Sequence, residues 1–243
     1  MDVEAGKRAV RERVWATLDQ AHAVEPPGAA GHIPSFIGAE EAARRLAELD
    51  VWRQARVVKA NPDKAQLPVR ESALREQKLL YMAVPRIATP KPFYLLDPAQ
   101  VGVDAASSSR AAEVAETVGP EEMQPVDLVM CGSVAVDHRG VRVGKGAGFS
   151  DIEMGLLAEV GLLGPHTTIV TTVHQLQVVD EELPETEHDF RVDLIVTPDE
   201  VLRCAPAPRP KGIVWEHLSE EKIAAIPALA TRKPRLHRVD RST

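Results

Sequence analysis

Gly144-Lys145-Gly146-Ala147-Gly148-Phe149-Ser150-Asp151 is the stretch of this 243-residue sequence whose residue types and spacing could do chemistry. Alternating glycines let a backbone take positive φ and bring its N–H groups up to a ligand with no Cβ in the way. Ser150-x-x-Glu153 has the capping-box pattern, which predicts a helix starting at Ser150 with its positive end toward the loop. Such a helix end attracts anions, nucleotide phosphate among them. Lys145 could neutralise more phosphate charge, and Asp151 could reach a Mg²⁺ ion bridging phosphate oxygens. The run is neither the dinucleotide pattern GxGxxG nor the Walker pattern ending GK[ST]. On spacing alone, a bare glycine-permitted turn between strand and helix explains it equally well.

Other charged groups are weaker signals. Lys7 and Arg11 stand one turn apart on a helix expected over residues 4–20, which buries Val10, Val14 and Leu18. Their spacing favours a solvated cationic face. His188-Asp189 precedes an expected strand, where the carboxylate could add a metal ligand or simply sit in a surface turn. His174, at the end of another strand, could equally be a satisfied core histidine. Cys131 lies in an apolar run and reads as a buried, inert thiol. It is far from Cys204, so there is no zinc spacing, and the pair suits a reducing cytoplasm. No Ser/His/Asp or Cys/His arrangement supports nucleophilic hydrolysis.

The elements that must position these groups alternate along the chain. Helices are expected over 4–20, 39–49, 70–77, 105–118, 150–162 and 218–226, and residues 22–37 are a Pro/Gly-rich connection. Strands are expected over 51–60, 79–84, 93–96, 127–136, 167–174 and 191–196. Asp137-His138-Arg139-Gly140 is a turn into Val141-Arg142-Val143, which leads directly into the glycine loop. Short buried strands between helices predict an α/β fold, a mostly parallel sheet with helices on both faces. Residues 1–225 are expected to form one such domain, and 226–243 a solvated basic tail carrying Lys233, Arg235, His237, Arg238 and Arg241.

Composition narrows the classes of partner. Apolar residues make up 44% and aromatics only 4%, so the core must be built mainly from Val, Leu, Ile and Ala. A net charge of −7 argues against general affinity for nucleic acid or an anionic membrane, while leaving room for a small basic pocket. No apolar run approaches a membrane span, and the charged start MDVEAGKRAV lacks a signal-peptide core. The expectation is a cytoplasmic protein acting on a small molecule, with no nucleic-acid or membrane partner. Oligomeric state is not legible.

In this order, several segments resemble the 5-formyltetrahydrofolate cyclo-ligase (methenyltetrahydrofolate synthetase) family. They are Lys7-x-x-Val10-Arg11, the run Arg142 to Asp151, and Glu187-His188-Asp189-Phe190-Arg191-Val192-Asp193. His32-Ile33-Pro34-Ser35-Phe36, Tyr81-Met82-Ala83-Val84-Pro85-Arg86 and Gly212-Ile213-Val214-Trp215 resemble its divergent methenyltetrahydrofolate synthetase domain-containing branch. The resemblance implies a fold of the NagB/ribose-5-phosphate isomerase/CoA-transferase type. It also implies an ATP- and Mg²⁺-dependent reaction: phosphorylation of the formyl oxygen of 5-formyltetrahydrofolate, attack by N10, and loss of phosphate to give 5,10-methenyltetrahydrofolate. In that picture Lys7 and Arg11 meet ATP phosphates, and Gly144 to Asp151 cradle them. Asp151 and Asp189 hold Mg²⁺, and Lys145 stabilises the moving phosphoryl group.

The sequence departs from the family in two places. The family's loop usually ends Gly-Tyr-Tyr-Asp-Arg; here it reads Gly148-Phe149-Ser150-Asp151-Ile152. The family's folate-contacting Glu, before its central helix, has no carboxylate counterpart in Ala65-Gln66-Leu67-Pro68-Val69-Arg70. The phosphate half of the site matches the family better than the folate half, and the expected substrate is a reduced folate or a similar heterocycle. A ligase or phosphotransferase acting on another heterocycle, such as a thiamine-related one, is the alternative, as is a nucleotide-binding module without turnover.

Overall fold

Short apolar runs bounded by Pro, Asn and Gly become the strands of one sheet, and the periodic segments between them become its covering helices. The computed structural model describes residues 2–232. Its strands are β1 (Val57–Ala60), β2 (Leu79–Ala83), β3 (Phe93–Leu96), β4 (Glu116–Val118), β5 (Val126–Cys131), β6 (Ala135–Asp137), β7 (Arg142–Val143), β8 (Leu163–Thr172), β9 (Val178–Val179), β10 (Leu194–Val196) and β11 (Val201–Arg203). The helices are α1 (Val3–Gln20), α2 (Ala39–Ala47), α3 (Asp50–Gln54), α4 (Leu67–Arg75), α5 (Ser108–Val114), α6 (Phe149–Glu159), α7 (Glu220–Ala225) and α8 (Pro227–Ala230).

Eight strands lie in the order β11-β10-β8-β5-β1-β2-β3-β4. Neighbours from β10 through β2 are parallel, while β11, β3 and β4 extend the two edges antiparallel. Side-chain alternation on β1 divides the core. Val58 and Ala60 pack with Leu46 of α2 and Val69 and Leu74 of α4; Val57 packs with Met154 and Leu157 of α6 on the other face. Burying a Leu, Val or Met side chain contributes about 1.5–3 kcal/mol, so both layers are needed. The sheet is the mostly parallel α/β arrangement that the alternation of elements predicts. Its centre, where β1 lies between β2 and β5, is a topological switch point, and a crevice opens there at the carboxyl ends of the strands.

A second sheet, β7-β6-β9, is the platform for α1. Val10, Val14 and Leu18 pack on Val134, Ala135, Val141 and Val143, which holds the helix beside the glycine loop. The turn between β6 and β7 forms as expected. Asp137 Oδ1 accepts hydrogen bonds from the N–H groups of Arg139 and Val141, and Gly140 takes a φ of 83°.

Several boundaries differ from expectation. The strand expected over 51–60 begins at Val57, because Asp50–Gln54 forms a short helix that turns Trp52 into the core under the Lys78 ammonium. The strand expected over 127–136 breaks after Cys131. A Cβ at Gly132 would lie 2.9 Å from Ile33 and 3.0 Å from Gln66 Oε1, a crowding that marks the bottom of the crevice. The helix expected over 105–118 is a 3₁₀ turn (Val103–Ala106), then α5, then edge strand β4. The expected boundary at 225 also falls too early. Ile226, Ala228 and Leu229 are buried with Ile152 and Leu156 of α6, so packing runs through α8. The basic residues from Lys233 onward lie outside the described residues.

Candidate active site

β7 delivers the chain into Gly144–Gly148, and α6 starts immediately after. Gly146 has a φ of 99° and Gly148 one of 67°, conformations that strain any residue with a Cβ. Neighbours add to that demand: a Cβ at Gly146 would lie 3.2 Å from the Arg11 guanidinium carbon, and one at Gly148 would lie 2.8 Å from Lys222 Nζ. The capping box does not form. Gly148 is the N-cap with no side-chain cap, and the first turn of α6 lines the crevice through Phe149, Ser150 and Asp151.

The two residues expected to cap this helix do other work. Ser150 Oγ accepts a hydrogen bond from Asn61 Nδ2 at 2.8 Å. Glu153 turns inward to a buried ion pair with Lys59 of β1, and Asn61 Nδ2 approaches its Oε2 at 3.3 Å. Burial pushes the Glu153 carboxyl up, against the pull of Lys59. An ion pair that costs this much desolvation specifies geometry more than it adds stability. Here it fixes the start of α6, and hence the loop, to the end of β1.

Cations converge on the loop. The solvated face expected for Lys7 and Arg11 is overturned, because Lys7 is only 4% exposed. Its spacing from Val10, Val14 and Leu18 puts it on the buried stripe of α1, a signal legible in the sequence. Lys7 Nζ donates to Asp189 Oδ2 at 2.5 Å, and Arg11 Nε donates to the Gly144 carbonyl at 2.7 Å. Lys145 lies 3.7 Å from Asp63. Arg142 is buried over the Phe190 ring at 4.1 Å and donates to Asp151 Oδ1 at 3.0 Å. The crevice holds about 330 Å³ and is lined by Lys7, Arg11, the loop and Asp151 on one side. Asn61, Asp63, Val84 and Gly132 line the other.

A divalent ion carried by a nucleotide fits these carboxylates. Burial pushes Asp151 up from the ordinary aspartate range; Arg142 pulls it back, and the negative charge of Asp189 adds to the rise. A cation beside Asp151 would add to the pull of Arg142 and favour the ionised carboxylate. Burial also works against ionised Asp189, but hydrogen bonds from Lys7 and Thr186 outweigh it and hold the group low. Each carboxylate has one oxygen outside these bonds. No group of three or more His, Cys, Asp or Glu side chains among the described residues could hold a metal ion. The site thus suits Mg²⁺ that arrives on phosphate oxygens, since Mg²⁺ keeps waters and substrate oxygens in its shell.

Beneath Gly132, the opposite wall rests on an uncharged side chain. Gln66 is fully buried; its Nε2 reaches Thr172 at 3.4 Å and its Oε1 has no partner, like Asn61 Oδ1. Arg70 donates to the carbonyls of Ala106, Asn61 and Asp63 and so braces the turn after β1. Burial pulls its pKa down to about 10, against Asp63 and Glu71, and it stays a cation at neutral pH. His174 caps the turn at Gln175–Gln177 with its Nδ1. Cys131 is buried, as expected.

A match to the 5-formyltetrahydrofolate cyclo-ligase family spans residues 3–198. The chain belongs to that family. It is 35% identical over 246 residues to the mouse methenyltetrahydrofolate synthase domain-containing protein, covering 97% of this chain and 66% of the relative. The human protein of that name is also 35% identical, over 96% of this chain and 63% of its own length. The chain therefore spans just under two thirds of these relatives. The Aquifex aeolicus 5,10-methenyltetrahydrofolate synthetase has the same fold, with a TM-score of 0.53 at 24% identity over 87% of this chain and 99% of that one.

Within the cyclo-ligase frame, the departures in the loop have local causes. Ile152 stands where the family usually has Arg, and it is buried against Ile223, Ile226 and Leu229. An arginine there would have to enter an apolar seam. Ser150 stands at a tyrosine position and is committed to Asn61. Sequence reasoning missed Lys59, Asn61, Arg142 and Lys222. A lysine inside the apolar run Val57–Ala60 was the one available signal for the first of these. Among the described residues, no helix is long and apolar enough to cross a membrane.

Proposed function

We propose that this chain is an ATP- and Mg²⁺-dependent cyclo-ligase, converting 5-formyltetrahydrofolate to 5,10-methenyltetrahydrofolate or closing a ring on a near relative of that substrate. The observation that carries the reading is the convergence of Lys7, Arg11, Lys145 and the uncapped start of α6 on one crevice beside Asp151 and Asp189. Phosphoryl transfer needs little covalent help, so positioning and charge stabilisation suffice. Loop N–H groups and Arg11 would hold the phosphates, Lys7 would keep Asp189 ionised and oriented, and Lys145 would offset charge on the moving group. Asp151 and Asp189 would hold Mg²⁺, which draws charge from the phosphate oxygens. The acceptor would enter over Gly132 from the strand ends. The enzyme would work in the cytoplasm, as the cysteine usage leads one to expect.

Mixing the protein with ATP, Mg²⁺ and 5-formyltetrahydrofolate should give the absorbance of methenyltetrahydrofolate. A second reading, a ligase or phosphotransferase on another small heterocycle, is favoured by one feature: buried Gln66 where the family resemblance leads one to expect a folate-contacting carboxylate region. ATP binding without methenyl product would select it. Absence of ATP binding would end both readings and leave a module without turnover.

A further inference from the structure

The family match ends at residue 198, but the chain continues and folds back over the outer face of α6. Arg209 ties the start of this return to Asp193 and to the Thr167 carbonyl. Ile213 N–H donates to Glu159 Oε1 at 3.2 Å, and a Cβ at Gly155 would come within 2.9 Å of the Ile213 side chain. Ser219 caps α7, whose Ile223 packs on Ile152 and Leu156. The return encloses a second cavity of about 760 Å³, lined by His188, Trp215, His217 and Lys222 among others. Gly148, Asp151, His188, Asp189 and Lys222 line both cavities, so the two meet at the phosphate loop.

Lys222 marks the junction. Its Nζ donates to the Ala147 carbonyl at 3.0 Å, and no carboxylate pairs with it among the described residues. An ammonium has three donors, so two remain for phosphate oxygens. Trp215 is half-buried and lines this cavity with His188 and His217, whose rings meet edge-on with their Nδ1 atoms 2.9 Å apart. In a phosphoryl transfer, donor and acceptor must lie on opposite sides of the transferred group. The smaller crevice opens at the strand ends, where an acceptor enters; the larger one has aromatic surface suited to a base.

We propose that residues 205–222 form the nucleoside subsite of a bound nucleotide, with Trp215 as the stacking surface and Lys222 as an added phosphate ligand. This rests on the phosphate-site reading above. The test is calorimetric titration of the full chain with ATP and, separately, with inorganic tripolyphosphate. Wild type should bind ATP more tightly than tripolyphosphate. Trp215→Ala should weaken ATP on the order of tenfold and leave tripolyphosphate unchanged, while Lys222→Ala should weaken both. Trp215→Phe guards against misfolding: it should keep most of the ATP affinity and lose the ATP-induced change in tryptophan fluorescence. Equal affinity of wild type for the two ligands, or unchanged ATP affinity in Trp215→Ala, overturns the subsite alone. Binding of neither ligand by wild type overturns the phosphate reading and the subsite with it.

Discussion

On one wall of the crevice, α1 and the glycine loop present Lys7, Arg11 and Lys145; on the other, the ends of β1 and β5 present Asn61 and Gly132, with Gln66 buried directly beneath Gly132. The first wall is charged, and its cations already have partners in Asp189, the Gly144 carbonyl and Asp63. The second carries buried amide oxygens, Asn61 Oδ1 and Gln66 Oε1, with no partner. A pre-paired wall is rigid before ligand arrives, which is what charge stabilisation in phosphoryl transfer requires. Those oxygens lie below the surface, so they shape the crevice floor from beneath Gly132 and do not meet a ligand directly. The pair Lys59–Glu153, with Asn61, joins the two walls. Separating their contributions is therefore the way to test the difference.

The largest effect should come from that joint. Lys59→Met leaves Glu153 buried without its cation and should cost about 3–5 kcal/mol in urea unfolding. The double variant Lys59→Met/Glu153→Leu should recover most of this loss, yet bind ATP less tightly because the start of α6 is no longer tied to β1. A stable double variant with wild-type ATP affinity would show that the pair does not position the loop. Next is the charged wall itself. Lys7→Met removes a charged hydrogen bond of about 1.5–3 kcal/mol, so ATP affinity should fall roughly ten- to a hundredfold. The same loss for tripolyphosphate would assign the effect to phosphate.

Gly146→Ala should act through the backbone. A positive φ costs a residue with a Cβ about 1–2 kcal/mol, and here the methyl also meets the Arg11 guanidinium. ATP affinity should drop about tenfold with little change in unfolding midpoint. A full loss of stability would mean that the loop supports the fold and not only the site.

How far the site was legible follows from this physics. Strands such as β2 and β3 declare themselves because burial on both faces demands a continuous apolar run, and Leu79 to Ala83 and Phe93 to Leu96 supply one. The glycine loop was legible for the same local reason: its backbone geometry excludes side chains. Ser150 and Glu153 misled because a capping box is a local pattern, while Asn61 and Lys59 reach them across 89 and 94 residues of chain. The return of α7 over α6 was hidden likewise. Ile152, Leu156 and Ile223 look like separate core positions until the fold brings them together.

The smallest effect should come from beneath the wall opposite the loop, and it is the sharpest test of the difference. Gln66 is completely buried, but its amide N–H groups reach Thr172 only at 3.4 to 3.5 Å, and its oxygen bonds to nothing. Removing a weakly bonded buried amide and filling its place with an apolar side chain of the same shape is nearly neutral. Gln66→Met should therefore change stability by less than about 1 kcal/mol and leave tripolyphosphate affinity unchanged. Gln66 touches the crevice only through Gly132, so its effect should be a small change in KM for the acceptor, with kcat retained once acceptor saturates. A fall in phosphate affinity instead would mean that Gln66 supports the loop from below, and that the two walls are one structure.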